Sequence, residues 1–259
     1  MKVLVAILTT IVMFVLVAFS PILSPGTTLV GGIVSHVVPT LAAPALLFLY
    51  RRFADRRPWS GLGTALTWWS VPQFVLGAAV GLATLLLGNA LAVWVGAATW
   101  TSLNTGREPL YALFLFPVLI AFRAGYPEEL MFRGHLFDVL SDRYRQMTVL
   151  VITSVSFGAL HIVSQSPAEG IVERLLYVLM AMGMGFLCGA LRMRTGTVWA
   201  AAGMHSSFYY VVYFPTQEIN FGVQLVFQTI MLSLAAAAVL LFPWRRVSSA
   251  ASPSLRLLS

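Results

Sequence analysis

Residues 71–95 read VPQFVLGAAVGLATLLLGNALAVWV, an unbroken apolar stretch without one charged side chain. A hydrocarbon core of ~30 Å is crossed by ~20 apolar residues in a helix, so this stretch alone places part of the chain in a bilayer. Seven further runs have the same character: Val3–Leu23, Leu29–Leu49, Leu110–Phe137, Met147–Val163, Ile171–Leu191, Thr197–Phe214 and Val223–Phe242. Composition agrees, with 59% hydrophobic and 10% charged residues over 259 positions, against roughly 25% charged in an ordinary soluble domain. So few charges cannot cover a water-exposed surface. The expected fold class is all-α, a polytopic membrane protein with about eight transmembrane helices.

The formal net charge of +7 raises the question of nucleic acid, but no folded basic domain or nucleic-acid motif accompanies it. Apart from Arg123 and Arg133 within the fourth run, the cations instead fall outside the apolar runs or at their ends. With the N-terminus inside, the inner segments hold Lys2, Arg51, Arg52, Arg56, Arg57, Arg143, Arg145, Arg192, Arg194, Arg245, Arg246 and Arg256, and the outer ones only Arg107 and Arg174. Cytoplasmic loops carry such an excess, so both termini are expected in the cytoplasm, a bacterial cytoplasmic membrane being the preferred location. The first run exceeds the ~7–15 apolar residues of a signal peptide and is read as a retained helix. Three helices with a basic loop in 1–110, a core of helices four to eight in 110–244 and a disordered tail in 245–259 are the expected organisation. Trp59, Trp68 and Trp69 suit the headgroup level, and Gly77/Gly81 and Gly185/Gly189 have the spacing of close helix packing. The single Cys188 excludes an internal disulfide and a cysteine-based zinc site.

Chemistry enters with the fourth run, which contains Pro127-Glu128-Glu129-Leu130-Met131-Phe132-Arg133-Gly134. At roughly 2.5–3.5 kcal/mol per charge at a helix centre, Glu128, Glu129 and Arg133 would together cost about 8–10 kcal/mol if unpaired. Such groups must pair or face a wet cavity. Glu129 and Arg133 are four apart, on one helical face, and are expected to form an ion pair. Glu128 points ~100° from Glu129 and ~140° from Arg133, which leaves it free to meet something else. Pro127 removes a backbone hydrogen bond just before the pair. In the fifth run Phe157 and His161 are one turn apart and can stack; the seventh carries His205. Glu128, His161 and His205, on three different spans, are the candidates for one buried site. His36, on a helix broken by Pro39 and Pro44, suits packing or gating, and His135 near the helix end is expected to be exposed.

Glu128-Glu129-x-x-x-Arg133, then Phe157-x-x-x-His161, then His205 resemble the signature of the type II CAAX prenyl endopeptidases, also called the CPBP family of intramembrane proteases. The resemblance covers about 121–214. It implies an intramembrane endopeptidase acting on a membrane-tethered peptide or protein, CAAX-type prenylated substrates being one possibility. Glu128 would serve as general base on a water shared with His161, and His205 would stabilise the oxyanion. Glu129, Arg133 and Phe157 would support them. The family places Asn four residues after the last His; here Tyr209 stands there, with Ser206 and Ser207 as alternative donors. The favoured mechanism requires no cofactor. A zinc ion held by Glu128, His161 and His205 is the alternative, against which stands the absence of His-Glu-x-x-His. Two other function classes remain open at this point: a catalytically weakened binding or bacteriocin-immunity protein on the same scaffold, and an ion-coupled transporter, disfavoured because no inverted repeat is visible.

Overall fold

The computed structural model describes residues 2–19, 29–101, 119, 121–164, 166–211 and 216–242. Helix α1 spans Lys2–Phe19, and α2 spans Leu29–Leu49 with a π-helical extension, Tyr50–Asp55. Ser70–Trp94 forms α3. The fourth run is built in pieces: a π-turn at Ala121–Gly125, α4 at Tyr126–Glu129, a second π segment at Leu130–Leu136, and α5 at Phe137–Ser141. Then follow α6 (Gln146–Leu160, ending in a 3-10 turn at His161–Val163), α7 (Gly170–Thr195), α8 (Trp199–Tyr210) and α9 (Phe221–Leu241). The fold is all-α apart from one short antiparallel ribbon among the described residues, in which β1 (Ala98–Trp100) pairs with β2 (Thr216–Glu218).

Among the described residues, five stretches are long and apolar enough to cross a membrane: Val37–Asp55, Ser70–Trp94, Gln146–Val163, Gly170–Thr195 and Phe221–Leu241. The protein is therefore multi-pass. The other three runs differ from the simple expectation for identifiable reasons. The first is apolar but shorter in its described part, Val3–Val17. The fourth is interrupted, and its beginning lies outside the described residues. The seventh shortens to the twelve-residue α8, whose Ala200, Ala201, Ala202 and Met204 are fully buried, as is Val198 just before it. A helix apolar on every side belongs inside the bundle. The boundary near residue 110 and the tail 245–259 also lie outside the described residues, as does the side chain of His36.

Helix α8 is the axis of the bundle. It packs most extensively on α3, while α9 lies on α7 and α3, and α6 lies on α7. Small residues permit the first of these contacts: a Cβ on Gly77 would collide with the Ala200 carbonyl, and one on Gly203 with the Phe74 carbonyl. Both obstacles are backbone, so neither side chain can move aside. Gly77→Ala is expected to lower stability by about 1–3 kcal/mol, the usual range for overpacking, measured as a fall of several degrees in the melting temperature in detergent. Met180 and Met184 are buried in this core as apolar filler. Gly196 ends α7 at φ +73°, its N–H donating to the Arg192 carbonyl, the left-handed stop that glycine adopts without strain.

Pro127 explains part of the broken fourth run. It offers no N–H to the carbonyl one π-turn earlier, that of Phe122, and Thr40 of α2 donates to that carbonyl instead at 2.7 Å. At the far end of the same run the arginines collect. Arg51 reaches Asp138 at 2.9 Å, Arg57 bonds Asp138 at 3.0 Å and Asp142 at 2.6 Å, and Arg192 donates to the Arg133 carbonyl at 2.9 Å. Arg57 holds the Asp142 carboxyl below its ordinary range, chiefly through their hydrogen bond. This clustering overturns the expectation for His135, which is fully buried. Arg51, anchored on Asp138, brings its guanidinium to 3.3 Å from His135 Nδ1, and Tyr50 meets the ring edge-on.

Candidate active site

Glu129 and Arg133 form the expected pair, Arg133 Nη1 donating to Glu129 Oε1 at 2.9 Å with both side chains fully buried. The second guanidinium nitrogen donates to the Gly185 carbonyl of α7 at 2.8 Å. Gly185 lets this happen: a Cβ there would stand 3.1 Å from Arg133 Nη2 and 3.0 Å from Ser154 Cα. A third partner was not legible in the sequence. His205 of α8 places Nδ1 2.9 Å from the same Glu129 oxygen, so Nδ1–H donates to that carboxylate. Its other nitrogen, Nε2, lies 3.7 Å from Glu128 Oε2. His205 thus stands between the two neighbouring glutamates, one nitrogen towards each.

Glu128 and Glu129 differ as the helix angle requires. Glu129 is sealed in the core, whereas the Glu128 side chain keeps 17% of its surface exposed. The short α4, set between two π segments, presents the two carboxylates to different surroundings. π-Helical turns of this kind recur at functional sites.

Phe157 ties the histidines together. Its fully buried ring sits 4.7 Å from His161, 5.6 Å from His205 and 5.2 Å from Phe132, centroid to centroid. The Arg133 guanidinium lies 4.7 Å over the same ring, a cation–π contact. His161 Nδ1 is 3.0 Å from the Phe157 carbonyl. A carbonyl only accepts, so Nδ1 carries the hydrogen and Nε2 is left as an acceptor. Tyr177 of α7 closes the other side of His161 at 6.0 Å; nothing in its sequence surroundings singled it out.

Tyr209 stacks parallel on His205, with rings 6.2 Å apart and 4° between planes. The phenol is within electrostatic reach of Glu128 and Tyr177. Ser206 and Ser207 do not serve as alternative donors. Their hydroxyls return to carbonyls of their own helix, Ala202 and Met204, each at 2.6 Å, where they face Gly125 and Gly81. Serine in a helix interior commonly spends its hydroxyl this way.

Among the described residues no group of three or more His, Cys, Asp or Glu side chains is arranged to hold a metal ion. His205 gives Nδ1 to Glu129 and His161 gives Nδ1 to the Phe157 carbonyl, so each imidazole keeps only Nε2 for a further partner. No curated protein matches the chain. Residues 110–211 match the family described as type II CAAX prenyl endopeptidase Rce1-like; this stretch carries every site residue above and is similar to the family that the motifs resemble.

Proposed function

We propose that the chain is an intramembrane endopeptidase that hydrolyses a peptide bond of a membrane-associated substrate with Glu128, His161 and His205. The observation that carries this reading is His205 standing between Glu129 at 2.9 Å and Glu128 at 3.7 Å. One glutamate fixes the imidazole and the other is left for chemistry. The Rce1-like match over 110–211 supports the CAAX type of endopeptidase. Substrates tethered to the bilayer, prenylated or not, suit a site lined by spans.

In this mechanism a water donates one proton to Glu128 and a hydrogen bond to His161 Nε2. Its oxygen attacks the scissile carbonyl carbon as the proton passes to Glu128. Protonated His205, anchored through Nδ1–H on Glu129, donates Nε2–H to the oxyanion, with the Tyr209 hydroxyl as a second donor. One such donor is worth roughly 3–4 kcal/mol in the transition state. Collapse breaks the C–N bond and Glu128 returns the proton to the leaving amine. No step passes through a metal. The collection of arginines at one end of the bundle supports that end as the cytoplasmic one.

Purified protein assayed on prenylated and unprenylated membrane-tethered peptides tests the reading, with products identified by mass spectrometry. His161→Ala is expected to lose cleavage by about 100-fold or more while retaining the parent's circular dichroism. Cleavage at the parental rate by this variant would remove His161 from the mechanism. A parent that cleaves no tethered peptide but couples ion flux to uptake would replace the protease reading by a transporter.

A further inference from the structure

The end of the bundle that gathers the arginines holds a cavity of about 450 Å³ whose lining includes none of Glu128, Glu129, His161 and His205. One wall is apolar, formed by Val3, Val5 and Ala6 of α1, and Val5 is half exposed where α1 faces outward. The opposite wall is polar and includes Asp55, Arg57, His135, Asp142 and Arg143. It lies where the span Val37–Asp55 ends, close in sequence to the exposed Trp59, Trp68 and Trp69, the level of lipid headgroups.

Two buried polar atoms in this wall lack hydrogen-bond partners. The Arg51 guanidinium, which can only donate, faces His135 Nδ1 at 3.3 Å. Nδ1 is therefore the acceptor and Nε2 carries the hydrogen, yet Nε2 is buried with no acceptor. Asp55 Oδ2 is likewise buried with no donor in hydrogen-bond reach, its nearest cation being Arg57 Nε at 3.8 Å. Buried polar groups of native proteins are normally satisfied, so the pair calls for a ligand offering one acceptor and one donor. Charge narrows the choice. Arg57 and Arg143 stand against Asp55 and Asp142 in the lining, two of each sign, which favours a ligand of zero net charge. A quaternary ammonium has no N–H for Asp55; a primary ammonium does.

We propose that this cavity binds the headgroup of a phosphatidylethanolamine lipid. The phosphate accepts from His135 Nε2–H and Arg143, the ammonium donates to Asp55, and the apolar wall of α1 takes the start of an acyl chain. The full-length protein, delipidated in detergent, is titrated with dioleoyl phosphatidylethanolamine, phosphatidylcholine, phosphatidylglycerol and soluble O-phosphoethanolamine, with adducts counted by native mass spectrometry. One phosphatidylethanolamine per chain is expected, held at least tenfold better than either other lipid. Asp55→Asn is isosteric and sits at a partly exposed position, so it folds; it is expected to erase the preference over phosphatidylcholine. His135→Phe is expected to weaken the adduct at least tenfold while leaving the ring's packing on Tyr50. Equal retention of the three lipids, an unchanged preference in Asp55→Asn, or soluble O-phosphoethanolamine binding as well as the lipid would each overturn the proposal.

Discussion

Glu128→Gln is expected to reduce peptide hydrolysis by roughly 10³-fold, about 4 kcal/mol of transition-state stabilisation, with the melting temperature nearly unchanged. The substitution keeps the shape of the side chain and removes only its ability to take a proton. Stability should barely respond because, among the described residues, the Glu128 side chain makes no hydrogen bond, standing 3.7 Å from His205, and keeps 17% of its surface exposed. Side chains placed like this usually contribute within about 1 kcal/mol. The loss should appear in kcat and kcat/KM alike, since the proton transfer occurs only in the transition state. Steady-state kinetics on a tethered peptide, with differential scanning fluorimetry of the same preparation, reads both quantities. Retention of parental turnover would take the general-base role away from Glu128, whereas a large fall in melting temperature would make it a structural residue.

How far the sequence led can be judged from individual side chains. The Glu129–Arg133 pair and the Phe157–His161 stack are four-residue relations, and helix geometry alone predicts them; both are present at 2.9 Å and 4.7 Å. Contacts that cross between spans carry no such signature. His205 bonds a glutamate 76 positions earlier, and Arg133 bonds a carbonyl 52 positions later. His135 was expected in water because it lies near a helix end, and is buried because Arg51, 84 positions away, comes back to Asp138 beside it. Pro127 signalled that the fourth run would be irregular, but not that π segments would bracket the two glutamates. Hydropathy found the long spans. It overestimated α8, whose apolar residues face protein on every side rather than lipid.

Removing one member of the buried pair should be the most damaging change to the fold. Arg133→Ala leaves the Glu129 carboxylate in the core without its counter-charge, His205 remaining as a donor, and removes the guanidinium bond to the Gly185 carbonyl of α7. Breaking a buried ion pair from one side typically costs about 3–5 kcal/mol, because the remaining charge has lost its compensation. Glu129→Gln should cost less than Arg133→Ala, since the amide oxygen still accepts from Arg133 and His205 although the guanidinium loses its counter-charge. The double variant Glu129→Leu with Arg133→Met should be less destabilised than the sum of its single substitutions, by about 1–3 kcal/mol in a double-mutant cycle. The pair is already imperfectly satisfied: Glu129 Oε2 and Arg133 Nε are buried with no hydrogen-bond partner. Replacing both charges therefore discards a costly arrangement as well as a favourable one, and the fold should survive it. Activity should not, because His205 Nδ1 then has no carboxylate to hold the ring towards Glu128. Chemical denaturation of the four proteins beside peptide-cleavage rates separates these effects. Strict additivity would show that Glu129 and Arg133 act independently, and a fully active double variant would show that His205 needs no anchor.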